Sequence, residues 1–245
     1  MALGGAIVKI VNQPAAIEDS TLPQVDIQTI RGVIDSAANG YLEPEKVQML
    51  LDAAGIPRAK EVVAATEEEA LQGARTVGYP LVMKVIGPIH KSDVGGVALN
   101  ISDDETLVAE FRRMIQIPQT TAILMQPMLS GTQIFIGAKR EGVFGHLVLC
   151  GLGGIFVETL KDISYSLAPV SQIEADEMIR GLRSYKMLEG TRGQEGVNIT
   201  MFAEAIRRVS ALCDAAPEIF EMDLNPLLGN SREVVAVDAR IRIEK

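Results

Sequence analysis

From Leu42 onward the apolar positions fall into short, sharply bounded segments. Glu43-Pro44-Glu45 opens a helix, because proline is tolerated in a first turn. Val47, Leu50, Leu51 and Ala54 then recur at helical spacing until Gly55 and Pro57 stop the run. Residues 60–64 are strand-like. A Thr66-x-x-Glu69 capping box predicts a second helix running to Val77, and Gly78-Tyr79-Pro80 predicts a turn. Leu81–Ile86 and Val97–Ile101 follow as strands, with a glycine- and serine-containing loop between them. The spacing then predicts a helix over 103–115 and strands over 121–125, 133–139 and 146–150, the first two separated by Pro127 and Gly131. Ser171 caps a helix to about Gly181, and 199–213 is a longer amphipathic helix. Two strands, 219–224 and 233–237, close the pattern through Asn-Pro and Gly-Asn turns.

Residues up to about Ile30 lack clear periodicity and are expected to form an irregular or partner-contacting arm. There is no internal repeat and no low-complexity segment. Strands and helices alternate without a strict βαβ rhythm, so the expected class is α+β, in subdomains, rather than one doubly wound sheet.

Composition narrows the functions open to such a chain. The 245 residues suffice for one large domain or two small ones. A formal charge of −9 without a basic block excludes a nucleic-acid surface, though one lysine and a metal can still hold a triphosphate. Cys150 and Cys213 both sit in apolar stretches and are expected to be reduced core thiols. The opening apolar run is too short and too interrupted for a signal peptide or membrane span, so a cytoplasmic protein is expected.

Candidate chemistry concentrates in three places. Lys84 stands inside the apolar strand Leu81–Ile86, where a charge is costly unless it meets water at an edge or a ligand phosphate in a cleft. The segment Gly87-Pro88-Ile89-His90-Lys91-Ser92-Asp93-Val94-Gly95-Gly96-Val97 follows. It brings imidazole, ammonium, hydroxyl and carboxylate together ahead of two glycines, which let backbone N–H groups approach an anion. By itself His90 is an ordinary loop histidine, and His146, at a strand edge, is structural. Gly151-Leu152-Gly153-Gly154-Ile155-Phe156 also follows a strand, but Phe156 stands where a dinucleotide fingerprint needs a small residue. Finally, Glu221-Met222-Asp223-Leu224-Asn225-Pro226 and Val237-Asp238 end consecutive strands. Adjacent strands there would join Asn225 and Asp238, hard oxygen ligands of the kind Mg²⁺ accepts, although a plain turn and a solvated strand end fit the same residues.

Taken in order, these motifs, with Leu160-Lys161-Asp162-Ile163-Ser164, Leu167-Ala168-Pro169 and Val237-Asp238-Ala239-Arg240, resemble the ATP-grasp subunit of ADP-forming acyl-CoA synthetases. The succinyl-CoA synthetase β subunit is a more distant relative. The resemblance runs from about Leu42 to the C-terminus. It implies an ATP-grasp fold of two α+β subdomains with the nucleotide cleft between them: an N-terminal arm 1–41, a smaller subdomain 42–125, and a larger one 126–245 carrying the metal site.

The resemblance also implies roles. Lys84 matches the strand lysine that holds ATP phosphates, and His90 a histidine that carries a phosphoryl group. Asn225 and Asp238 match the Mg²⁺ ligands. The hinge 125–128 meets adenine through its backbone, notably at Gln126 and Met128. Gly95, Gly96, Gly153 and Gly154 belong to the nucleotide site. Gln133 stands where relatives usually carry a ribose-binding Glu, and Pro127 where a Glu is more usual. The implied cofactors are ATP or ADP with Mg²⁺, and the implied partner is a CoA-binding α subunit or domain in a hetero-oligomer. Two alternatives share the fold: a degenerate regulatory module of a fused acyltransferase, and a stand-alone carboxylate ligase.

Overall fold

A computed structural model describes residues 21–87, 95–154, 162–190 and 195–245. In chain order its elements are α1 (Ile27–Ser36), β1 (Gly40–Tyr41), α2 (Pro44–Ala53), β2 (Val62–Ala64), α3 (Glu67–Val77), β3 (Leu81–Ile86) and β4 (Val97–Ile101). Then come α4 (Asp104–Met114), β5 (Ala122–Pro127), β6 (Thr132–Arg140), β7 (His146–Leu152) and β8 (Ile163–Leu167). The chain closes with α5 (Gln172–Arg180), α6 (Tyr185–Leu188), α7 (Ile199–Ala215), β9 (Ile219–Gly229), β10 (Val234–Ala236) and β11 (Ala239–Ile243). The described residues form two compact units, one of Ala59–Leu129 and one of the chain up to Arg58 together with Ser130–Lys245.

The smaller unit is an antiparallel sheet in the order β2-β5-β3-β4. Strand alternation sends Leu81, Met83, Val85, Ile123 and Met125 to one face, where they pack with Ala70 and Ala74 of α3 and Leu107, Phe111 and Met114 of α4. The two helices begin as the polar residues dictate. Thr66 and Glu69 make both bonds of the capping box, and the Asp103 carboxylate accepts from Thr106 N–H. Gly73 lets α3 lie close on the sheet, since a Cβ there would sit 2.3 Å from Met125 Cε. Val63, Val82, Lys84, Leu124 and Gln126 point to the opposite face, as the pairings Val63 with Leu124 and Val82 with Gln126 require.

The larger unit is a seven-stranded antiparallel sheet ordered β1-β11-β9-β6-β7-β8, with β10 also on β9. Ile134, Ile136, Val148, Cys150, Met222, Leu224 and Ile241 face a helical layer that supplies Ile30 and Ile34 from α1, Leu50 from α2, Ile179 from α5, and Phe202, Ile206 and Val209 from α7. Both cysteines are buried and unpaired, and His146 is buried with Nε2 2.6 Å from the Ile219 carbonyl. Burial holds the His146 imidazole below the usual histidine range. Among the described residues no helix is long and apolar enough to cross a membrane.

Three expectations need correction. Beyond residue 20 the N-terminal region is not an irregular arm. Ile30, Val33 and Ile34 recur at helical spacing and are buried, Asp26 caps α1, and Arg31 forks onto Glu218 with two contacts of 2.7 Å. Residues 42–58, expected in the smaller subdomain, pack with the larger unit, because Val47, Leu50, Leu51 and Ile56 join its core. The C-terminal region holds three strands rather than two. β9 continues through Asn225-Pro226, and a further strand, β11, starts just after Asp238.

Ser210 lies wholly buried on α7 and its Oγ accepts from Val170 N–H at 2.9 Å, which fastens the approach to α5. Ser210→Ala leaves that N–H unpaired in a dry site. The expected loss of stability is about 1–3 kcal/mol, measured by urea unfolding with an unchanged denaturant slope.

Candidate functional site

In the larger unit, proline organises the site. β9 lies between β6 and β11, and a proline there cannot donate to either neighbour. The sheet accommodates it with a bulge: Ile134 pairs with Leu227 and Ile136 with Leu224, so β9 spends an extra residue at Asn225-Pro226. On the other side of β9 lies the break between β10 and β11, with Ala236 opposite Leu227 and Ala239 opposite Leu224. Asp238 falls in that break. Asn225 N–H donates to the Asp238 carbonyl at 3.2 Å and Val237 N–H to the Pro226 carbonyl at 3.1 Å. The two expected metal ligands therefore stand side by side across one backbone bond.

The glycines after β7 reach the same place. Gly154 N–H donates to Asn225 Oδ1 at 3.3 Å, and Gly153 N–H to the Gln133 carbonyl at 2.8 Å. A Cβ on Gly153 would sit 2.7–3.1 Å from the O, C and N of Ile134, so the end of β7 approaches β6 in a way only glycine allows. Gly154 has φ +61°, in the left-handed region, and a Cβ on it would strike the Gln133 side chain. Gln133, Gly153, Gly154, Asn225 and Asp238 thus form one cluster.

In the smaller unit, Lys84 Nζ donates to Gln126 Oε1 at 2.7 Å, and Gln126 Nε2 donates to Glu61 Oε1 at 2.5 Å. Gln126 is buried, at 3 % exposure, yet both ends of its amide are satisfied. Met128 N–H donates to the Pro80 carbonyl at 2.9 Å, so a backbone contact with a base at Met128 would use its carbonyl unless that bond opens. Gly96 O accepts from Val85 N–H, and Gly95, at φ +69°, offers its carbonyl to Arg113. His90 lies outside the described residues.

The donor set suits a hard cation. Asn225 and Asp238 offer oxygen only. Asn225 Oδ1 keeps a second lone pair beyond its bond to Gly154. Among the described residues no three His, Cys, Asp or Glu side chains converge on a metal site. A cation held by Asn225 and Asp238 must therefore complete its shell with phosphate and water, as Mg²⁺ does in nucleotide sites. Nearby, the Asp223 carboxyl is pushed above the usual aspartate range, first by desolvation and then by Asp238, while Arg240 pulls it down. Solvent reaches the Asp223 side chain, which weakens both effects.

Two neighbours of the candidate site carry little signal in the sequence. Glu61 carries no local signal and becomes visible only once β2 is known to pair with β5. Arg240 pairs in register with Asp223 and was quoted only as part of a motif.

A family model described as an ATP-grasp domain matches residues 34–243. The chain belongs to the ATP-grasp family. Within it, the chain is 40% identical over 210 residues to the β subunit of acetate–CoA ligase (ADP-forming) I of Pyrococcus furiosus, covering 82% of this chain and 90% of that one. It is 39% identical over 194 residues to 4-hydroxybutyrate–CoA ligase (ADP-forming) of Nitrosopumilus maritimus, matching 75% of this chain but only 28% of that longer protein. Among solved structures, acetyl-coenzyme A synthetase 1 of Ca. Korarchaeum cryptofilum superposes with a TM-score of 0.77 at 34% identity, covering 89% of this chain and all of that one. That structure holds coenzyme A and Mg-AMPPCP, with its phosphohistidine segment pointing towards the nucleotide binding site. The ATP-grasp fold and the α+β class expected from the sequence are borne out.

If Gly153 serves sheet packing, as its backbone clearances indicate, its loss is felt without any ligand. Gly153→Ala is expected to cost about 1–3 kcal/mol in the nucleotide-free protein, read as a lowered melting temperature.

Proposed function

We propose that this chain is the nucleotide-binding, phosphoryl-transferring component of an ADP-forming acid–CoA ligase. The reaction is acyl-CoA + ADP + phosphate ⇌ acid + CoA + ATP. The observation that carries the reading is the joining of Asn225 and Asp238 across one backbone bond, inside an ATP-grasp fold. Relatives of matching length are β subunits, which supports completion by a CoA-binding α subunit or domain in a hetero-oligomer.

Each residue then has a task that its chemistry suits. Asn225 and Asp238 hold Mg²⁺, which when bound neutralises phosphate oxygens during transfer. Gly154 N–H keeps the Asn225 carbonyl turned to one side. Lys84 places an ammonium against the phosphates, and Gln133 hydrogen-bonds ribose hydroxyls as an amide in place of a carboxylate. His90 is the nucleophile that carries the phosphoryl group between the nucleotide site and the partner: its imidazole nitrogen gains the bond to phosphorus as the bond to the departing oxygen breaks. Acyl recognition belongs to the CoA-binding component.

Metal and phosphate contacts separate in calorimetry. Asp238→Asn keeps shape and removes ligand charge, so it should weaken Mg-ADP binding by about tenfold or more, roughly 1.4 kcal/mol, and metal-free ADP binding far less. Lys84→Met should weaken both. Equal losses in Asp238→Asn would mark that aspartate as a strand end only.

A relay group used only in transfer lowers the transition state and leaves ground-state binding alone. His90→Ala should accordingly hold nucleotide affinity within about twofold and abolish acyl-CoA-dependent ATP synthesis when a CoA-binding partner is supplied. Full activity of the mutant complex would return His90 to an ordinary loop residue.

A further inference from the structure

We propose that Arg240 is a phosphate-binding residue of the larger unit, one that takes the terminal phosphate of a nucleoside triphosphate on the far side of Asn225 and Asp238 from Gln133. The inference rests on the reading of Asn225 and Asp238 as the Mg²⁺ ligands and of Gln133 as the ribose contact. Every residue it uses belongs to the larger unit.

Register sets these side chains in rows on the sheet face that the helices leave uncovered. On β6, Ile134, Ile136 and Ala138 join the core, so Gln133, Gly137 and Lys139 lie on the open face. On β9, Met222 and Leu224 join the core and Glu221, Asp223 and Asn225 take the open face. On β11, Ala239 and Ile241 pack on the core, and the exposed Arg240 between them is turned the other way. Gly137, Asp223 and Arg240 then form one row across three adjacent strands.

The order of positions along those strands gives a direction. Gln133, opposite Leu228 and against Gly154, lies at one end. Asn225 follows, bonded to Gly154 N–H, with Asp238 across a backbone bond. The row of Asp223 and Arg240 comes two residues further along β9, a step of about 6.6 Å. A nucleotide with its ribose at Gln133 and its phosphate oxygens on a cation at Asn225 and Asp238 therefore sends its terminal phosphate towards that row.

The row is fitted to receive it. Gly137 sits within a strand, yet packing does not demand a glycine there: a Cβ would meet nothing nearer than the Met222 carbonyl at 3.5 Å. Its effect is to keep the open face clear beside Asp223, as glycines do where a ligand lies close on a sheet. Among the described residues no hydrogen bond or ion pair holds the Arg240 guanidinium, although Asp223 stands opposite. In the next row Arg242 is committed, to Glu244 at 2.5 Å and to the Phe220 ring at 4.7 Å. Asp238 and Arg240 both act on the Asp223 carboxyl, so the three charges are close neighbours. A phosphate entering beside two carboxylates needs a cation in addition to the metal. Arg240 supplies it, with a planar fork that suits two phosphate oxygens.

Calorimetry on the full chain compares Mg-ADP with the magnesium complex of β,γ-methylene-ATP, which carries a terminal phosphate it cannot transfer. Arg240→Met keeps an unbranched side chain and removes the charge. It should weaken the triphosphate analogue about tenfold and leave Mg-ADP within about twofold. Arg240→Lys restores the charge without the fork and should recover part of the loss. In wild type labelled with ¹⁵N-arginine, the Arg240 Nε resonance is assigned by its absence in either variant. Its proton exchange should slow with the triphosphate analogue and stay unchanged with Mg-ADP.

A lowered melting temperature in Arg240→Met, with the ratio of the two affinities unchanged, overturns the proposal and leaves Arg240 as a cross-strand neighbour of Asp223. Equal losses for both nucleotides that fade with added salt also overturn it, since they mark a general surface charge. If Arg240→Met fails to fold, the wild-type Nε resonance decides, and one unmoved by the analogue overturns the proposal. Asp238→Asn separates this from the reading beneath it. A selective loss of metal-dependent binding there, beside an unchanged ratio in Arg240→Met, overturns the role of Arg240 alone. Equal losses with and without metal overturn the metal assignment, and the role of Arg240 falls with it.

Discussion

Proline in a central strand is the constraint around which the larger unit is arranged. Pro226 has no N–H to give to the ladder, and β9 has neighbours on both sides. The register therefore slips by one residue against β6, and on the opposite side the partner strand divides into β10 and β11. Each accommodation has a chemical consequence. Alternation puts Asn225 off the helix-covered face, within reach of Gly154 N–H, and the slip after it returns Leu227 to the core. The division leaves Asp238 in a short connecting stretch rather than in a ladder position. Two oxygen donors from different strands meet where sheet regularity is lost, as bulges beside functional sites commonly achieve.

Both units obey one rule of alternation. Helices cover one face of each sheet, and alternate residues on the same strands carry the polar groups. On β3 this gives Met83 and Val85 to the core and Lys84 to the other face. On β9 it gives Met222 and Leu224 to the core and Asp223 and Asn225 to the other face. Because the strand period is 2, a one-residue slip in either sheet would bury the charges and expose the core. The apolar packing that stabilises each unit therefore also specifies where its chemistry points.

Much of this was legible in the sequence, for identifiable reasons. The helix α2 carried regular apolar spacing, α3 and α5 carried N-caps at Thr66 and Ser171, and α7 a long amphipathic pattern. Lys84 stood out because a charge inside Leu81–Ile86 demands an explanation. Asn225 and Asp238 were paired correctly in space because each ends an apolar strand run. Other features were hidden. The helix α1 lies wholly before Leu42, where the regular spacing becomes clear, and the polar stretch ahead of it masks its start. Asn225-Pro226 is a common turn signal, and only the flanking strands reveal a bulge within β9. Glu61 lies 65 positions from Gln126, and no local pattern announces a contact that depends on which strands become neighbours. Local propensity is written along the chain, whereas strand order is a property of the folded whole.

The glycines show why a motif and its mechanism need separate arguments. A glycine run after a strand invites the inference that backbone N–H groups cradle an anion. In this fold Gly153 is required for a different reason, the clearance between β7 and the Ile134 backbone, and its N–H is committed to the Gln133 carbonyl. Gly154 owes its identity to a left-handed φ, and its N–H serves Asn225. Both glycines thus shape the cluster through clearances and N–H bonds within the protein, and replacing either would disturb it in the absence of any ligand. Loss of binding in a glycine variant is therefore weak evidence for a direct contact here. A charge-changing, shape-preserving substitution at Asp238 carries more information, because it leaves these clearances intact.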